Sequence, residues 1–126
     1  MIDHTGVPVS NLAKSIEFYR AALAPLGYEL IMQFPPDAPV AAGFGVAGKA
    51  DFWLHTDKVH AGSHVAFRAE KRSTVKDFYQ AAMANGGRDN GAPGVRPHYH
   101  EHYFGGFVLD PDGHNIEVVC HVPYLG

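Results

Sequence analysis

The sequence predicts an α+β fold in which one strand–helix–three-strand unit is used twice. Three observations carry this. First, residues 4–27 (HTGVPVSNLAKSIEFYRAALAPLG) match residues 64–87 (HVAFRAEKRSTVKDFYQAAMANGG) without a gap, at a displacement of 60. His4 falls on His64, Phe18-Tyr19 on Phe78-Tyr79, Ala21-Ala22 on Ala81-Ala82 and Gly27 on Gly87. A fixed internal displacement of this kind marks a duplicated supersecondary unit. Second, each copy passes from two-residue alternation to a helical stripe and then back to short β-rich runs. Third, glycine and proline punctuate the copies where the elements should change.

In the first copy, residues 3–9 alternate as a strand, with Thr5, Val7 and Val9 on one side and His4, Gly6 and Pro8 on the other. Ser10 or Asn11 can cap the helix that follows. Leu12, Ile16, Tyr19, Leu23 and Leu26 form its apolar stripe, and Pro25 and Gly27 stop it. Residues 28–34, 40–46 and 51–56 are the three strands, with PPDAP as a loop between the first two. The second copy opens with a strand at 64–69, followed by a helix bearing Val75, Phe78, Tyr79, Ala82 and Met83. A long loop is expected from Asp89 to Pro97, then a short extended segment around His98–His102 and strands at 104–109 and 115–121. Asp110-Pro111-Asp112-Gly113 joins the last two as a hairpin turn. His114, beside that turn, and His60, in the link, are expected at the surface. Cys120 is expected to be a small buried hydrophobe.

The 126 residues suit a single domain, 1–126, of two modules: module one 1–56, a link 57–62 and module two 63–126. One cysteine excludes an intrachain disulfide framework. A net charge of −3, with basic residues scattered, points away from nucleic acid and anionic membranes. No apolar run approaches the ~20 residues that span a bilayer. The N-terminus shows no basic region followed by an apolar run, so a cytoplasmic location is expected. Nine histidines are the one compositional outlier.

Strand parity gives these residues directions. If Val7 and Val9 face the helix, His4 faces away from it. The same argument on Val65 and Phe67 turns His64 away from the second helix. In the last strand Ile116, Val118 and Cys120 form the apolar face and Glu117 points opposite. Two imidazoles and one carboxylate on helix-free faces make a 2-His-1-carboxylate set, which suits a divalent transition metal and leaves coordination positions open. An unpaired carboxylate inside a cup is costly, which also favours a cation beside it.

Three stretches, DHTGVPVSNLAKSIEFY (3–19), HVAF (64–67) and FVLDPDGHNIEVV (107–119), resemble the vicinal oxygen chelate superfamily. That superfamily includes glyoxalase I, extradiol dioxygenases, fosfomycin-modifying transferases and bleomycin-binding resistance proteins. The resemblance covers nearly the whole chain. It implies two βαβββ modules forming an eight-stranded cup with helices on the outer face, usually in a homodimer whose cups can combine modules of two subunits. It also implies His4, His64 and Glu117 as ligands of a divalent transition metal (Fe, Mn, Ni or Zn) that chelates a small substrate through vicinal oxygens.

One position departs from the glyoxalase I pattern. Aligning Asp51-Phe52-Trp53-Leu54 with Asn115-Ile116-Glu117-Val118 puts Trp53 where those enzymes carry a fourth ligand. An indole offers a cation no acceptor. His55, two residues on, shares the face of Trp53 but sits a full pleat away. The loop RPHYHEHYFGG also lacks the serine-rich character of the fosfomycin-modifying members.

In that loop, an extended chain puts His98, His100 and His102 on one side and Tyr99, Glu101 and Tyr103 on the other. His100 and Tyr103 are the candidate acid–base or substrate-contact groups, and imidazole titrates near neutral pH. Tyr99, Trp53 and Phe44 are candidate pocket residues, with Trp53 and Phe44 equally placed to be core. Two functions follow. One is a metal-dependent enzyme of lyase, isomerase or dioxygenase type. The other is a metal-free binding protein of the bleomycin-resistance type, with an aromatic groove for a small molecule.

Overall fold

The computed structural model describes residues 1–123. β1 (Thr5–Val9) leads into α1 (Leu12–Leu23), and a 3-10 turn (Ala24–Leu26) precedes β2 (Glu29–Phe34), β3 (Ala41–Val46) and β4 (Lys49–Thr56). β5 (His64–Ala69) leads into α2 (Arg72–Ala84), the two-residue strands β6 (Arg88–Asp89) and β7 (Gly94–Val95), β8 (Phe104–Leu109) and β9 (Asn115–Cys120). One sheet has the order β1-β4-β3-β2, the other β5-β9-β8-β6, with β7 also paired to β8. The fold is α+β with two βαβββ modules.

The local causes are those the sequence displays. The Asn11 side chain accepts the Lys14 N–H at 3.1 Å and so caps α1. Gly27 closes the following turn at φ 82°, a conformation glycine adopts without a Cβ clash, and its N–H donates to Ala24 O. The repeat is also kept in register. Gly6 lies opposite Trp53 in the β1–β4 ladder and Ala66 opposite Glu117 in the β5–β9 ladder, so Trp53 and Glu117 occupy equivalent places.

Two segments differ from expectation. The expected loop 89–97 carries β6 and β7 because its backbone finds partners on β8. Asn90 N–H donates to Phe107 O, and Phe107 N–H donates to Gly91 O. The segment 98–102 is a turn, not an extended run. Tyr99 and His100 N–H groups both donate to Arg96 O, so two-residue alternation does not apply there.

The helix-bearing faces of the two sheets share one apolar core. Val7, Val9, Phe18, Tyr19, Phe52 and Leu54 of the first module are fully buried, as are Val75, Phe78, Ile116 and Val118 of the second. Phe52 and Phe67 meet edge to face across the junction, with ring centroids 5.2 Å apart. Cys120 is buried, as expected, and His60 is exposed.

His114 is not at the surface. It is fully buried, because both ring nitrogens have backbone partners from different modules. Its Nδ1 accepts the Ser63 N–H at 2.8 Å and its Nε2 donates to Pro8 O at 2.6 Å. The neighbouring turn joins in. Buried Asp110 accepts the Tyr19 hydroxyl at 2.5 Å, and Asp112 accepts both the N–H and the hydroxyl of Ser10. DPDGH is therefore a turn and an inter-module clamp together. It fixes the end of β1 beside the start of β5. His4 lies four residues before Pro8, roughly 13 Å back along an extended chain.

Candidate functional site

Glu117 projects from β9 on the face without the helix, and its side chain is only 3% exposed. The partner strand makes room for it. A Cβ at Gly105, on β8, would come within 3.1 Å of the Tyr103 ring and 3.4 Å of Glu117 Oε2. Glycine there lets the tyrosine lie across the carboxylate, and the Tyr103 hydroxyl donates to Glu117 Oε2. Burial first, then the hydrogen bond and charge of Glu117, hold the Tyr103 phenol above the usual tyrosine value, with Arg96 opposing.

The other oxygen, Oε1, stands 3.2 Å from His64 Nε2. His64 Nδ1 lies 3.0 Å from Asn115 O. A carbonyl only accepts, so Nδ1–H is the donor to Asn115 and Nε2 is the nitrogen left facing the carboxylate. Two like acceptors face each other there unless a proton or a cation comes between them. This is the arrangement of a metal-binding histidine, whose second ring nitrogen is tied to a carbonyl or carboxylate. Donors at right angles on a cation with bonds of about 2.1 Å stand roughly 3 Å apart, close to the observed spacing. His64 and Glu117 are two donors of the kind a divalent transition metal takes, one short of the three protein ligands usual in a catalytic site.

His4 does not join this pair. It is exposed, and its Nδ1 is 2.8 Å from Asp3 Oδ1. Among the described residues, no three His, Cys, Asp or Glu side chains of one chain converge as a metal-binding group.

The remaining candidates are dispersed. Tyr99, 60% exposed, meets Tyr103 edge to face at 5.1 Å. His100 is exposed, and its ring lies 5.8 Å from that of His121. His121 in turn lies 5.2 Å from Tyr103, and sequence reasoning did not single it out. Its signal was parity, since it follows Glu117 and Val119 on the same side of the strand. Trp53 is half-buried on the helix-free face of the first sheet, lying over Gly43, where a Cβ would come within 2.9 Å of the indole. Phe44 turns the other way, fully buried against Tyr19 at 6.3 Å.

A family profile described as the Glyoxalase/Bleomycin resistance protein/Dioxygenase superfamily matches residues 1–118. The chain belongs to this superfamily. Solved glyoxalase-superfamily structures share its fold. A glyoxalase/bleomycin resistance protein from Albidiferax ferrireducens T118 superposes with a TM-score of 0.80 at 24% identity, over 95% of this chain and 98% of that one. Lactoylglutathione lyase from Agrobacterium tumefaciens superposes at 0.70 and 16% identity, over 95% and 92%. A glyoxalase I mutant from Zea mays gives 0.69 at 23% identity, over 94% of this chain but 45% of that longer one. No curated protein matches the chain. Among the described residues, no helix is long and apolar enough to cross a membrane.

Proposed function

We propose that this glyoxalase-superfamily chain is a metal-dependent enzyme of lyase, isomerase or dioxygenase type, acting on a small substrate with vicinal oxygens. Its ligands are His64 and Glu117 of one chain and His4 of a second copy in a homodimer. The observation that carries the reading is the His64–Glu117 contact, a carbonyl-oriented imidazole with Nε2 facing a buried carboxylate. Fe, Mn, Ni and Zn suit the donor set. Bound there, such a cation supplies Lewis-acid polarisation of two adjacent substrate oxygens.

The protein's own groups have separable tasks. Asn115 O holds the His64 ring in one orientation. Tyr103 fixes Glu117 through Oε2, leaving Oε1 for coordination, and holds a proton at the edge of the site. Burial of Glu117 excludes water from the carboxylate. His100 and His121, at the exposed side of Tyr103, are placed to exchange protons with solvent. Tyr99 and Trp53 supply aromatic surface for the substrate.

The test is metal content by mass spectrometry on tag-free protein, with His64→Ala as control. Near one transition metal per chain, lost in the variant, supports the reading. A second reading, a metal-free small-molecule binder, draws on the failure of His4 to meet the pair within one chain. No metal uptake from Fe, Mn, Ni or Zn salts, with ligand binding indifferent to chelator, selects it.

A further inference from the structure

The helix-free face of the second sheet carries a guanidinium that the His64–Glu117 pair does not use. Phe107, across the ladder from Glu117, turns its half-buried ring to the same face. The Arg96 guanidinium lies over that ring, its Cζ 5.6 Å from the centroid. Two glycines leave the space for it. A Cβ at Gly94 would come within 3.0 Å of Arg96 Nη1, and one at Gly91 within 3.4 Å of Nη2. Nη2 donates to Ala92 O at 2.9 Å and Nη1 to Val95 O at 3.4 Å. Two carbonyls and a ring therefore hold the fork, and three of its five N–H groups have no acceptor among the described residues.

The charges around it do not answer it. Among the described residues Arg96 makes no ion pair. Asp89 lies on the helix side, where it accepts the Tyr79 hydroxyl and the Gly91 N–H. Glu101 is 82% exposed and stands 3.3 Å from His102 Nε2. Glu117 takes the Tyr103 hydroxyl and faces His64. Arg88, across the ladder from Leu109, adds a second positive charge to the same face. His98, His100 and His121, around Tyr99 and Tyr103, bring no negative charge.

Arg96 follows β7, at the opposite edge of the sheet from β5, the side on which the proposed homodimer seats its second copy. With Phe107 one ladder step from Glu117, the guanidinium stands one to two strand spacings, roughly 5–10 Å, from the carboxylate. A small molecule spans that gap. We infer that Arg96 is a specificity residue that holds a carboxylate of the substrate, which makes the substrate a small organic acid with its vicinal oxygens at the His64–Glu117 end. A planar fork matches a carboxylate with two parallel hydrogen bonds, and the ring beneath keeps it in plane. The placing of the vicinal oxygens rests on the metal reading; the carboxylate anchor does not.

Proton–nitrogen NMR titration of the full chain, stripped of metal by chelator, tests the anchor with phenylacetate and its neutral counterpart phenylacetamide. Phenylacetate should shift the Gly91, Gly94 and Arg96 Nε–H signals and bind at least about tenfold more tightly than the amide. Arg96→Gln should weaken phenylacetate by a similar factor and leave phenylacetamide as it was. Arg88→Gln, at an exposed position, should change phenylacetate binding by less than about twofold. Should Arg96→Gln fail to fold by circular dichroism, Arg96→Lys replaces it, and a loss of at least about threefold is expected because the fork is gone. Equal binding of acid and amide, no binding of phenylacetate, or equal losses in the Arg88 and Arg96 variants overturns the inference. Metal content is read on the same proteins, and Arg96→Gln should match the unaltered chain. A chain that takes no metal yet binds phenylacetate through Arg96 supports the anchor and overturns the metal reading alone.

Discussion

His64 turns Nε2 toward Glu117 Oε1 at 3.2 Å while its Nδ1 donates to Asn115 O. One module therefore delivers two donors already oriented, each with a supporting partner of its own. Tyr103 does for the carboxylate what Asn115 O does for the imidazole.

Removing that support should be measurable. Tyr103→Phe keeps the ring on Gly105 and Tyr99 but strips the donor from Glu117 Oε2. Metal affinity should fall about 10–100-fold with little change in stability. Titration of the apo protein with Zn(II) or Mn(II) reads this. Unchanged affinity would show that Tyr103 does not position the ligand.

The clamp at His114 leads to a complementation experiment. If His4 serves the site of a second copy, His4→Ala and His64→Ala homodimers should each lack metal. Mixed, they should form heterodimers with one intact and one doubly disabled site, so about half of the heterodimer sites regain metal. No recovery after verified subunit exchange would sink the shared site.

His114 itself should matter for stability. His114→Ala orphans the Ser63 N–H and the Pro8 carbonyl in a buried setting. At about 1–3 kcal/mol for each group, a loss of ~3 kcal/mol is expected in urea unfolding. His60→Ala, at an exposed position, should stay within about 0.5 kcal/mol. Similar values for the two would remove the clamp from the account.

Alkaline pH provides a fourth test. Burial first, and then the charge and hydrogen bond of Asp110, raise the Tyr19 phenol well above its ordinary value. The native state keeps that proton where the unfolded chain releases it. Stability is therefore full below about pH 10 and falls above it, by at most about 1.4 kcal/mol per pH unit for this group. Tyr19→Phe should be less stable at neutral pH by about 1–2 kcal/mol and flatter above pH 10. Thermal unfolding from pH 8 to 11 distinguishes the two proteins.

The repeat and strand parity made much of this legible in advance. Val65 and Phe67 gave the direction of His64, and Ile116, Val118 and Cys120 that of Glu117. Parity says which side a residue is on, not where along a seam its strand lies. His4 and His64 have equivalent places in their modules, yet the modules of one chain do not bring them together. His114, Asp110 and Asp112 tie the modules to each other, and their sequence signal was ordinary turn chemistry. The His98–His102 reading failed for a related reason. Two donors onto Arg96 O curl the segment, and no side-chain pattern announces that bond.

Trp53 stands where its twin module carries Glu117. In an ancestor built from identical single modules, one codon would have governed both positions. Replacing the acid would have emptied both halves of the site at once. Fusion of the halves into one chain separated their fates. In this chain one copy carries an oxygen donor at that place and the other an aromatic ring. The two modules thus share a backbone plan but not a donor set, and the difference falls at a single pair of positions.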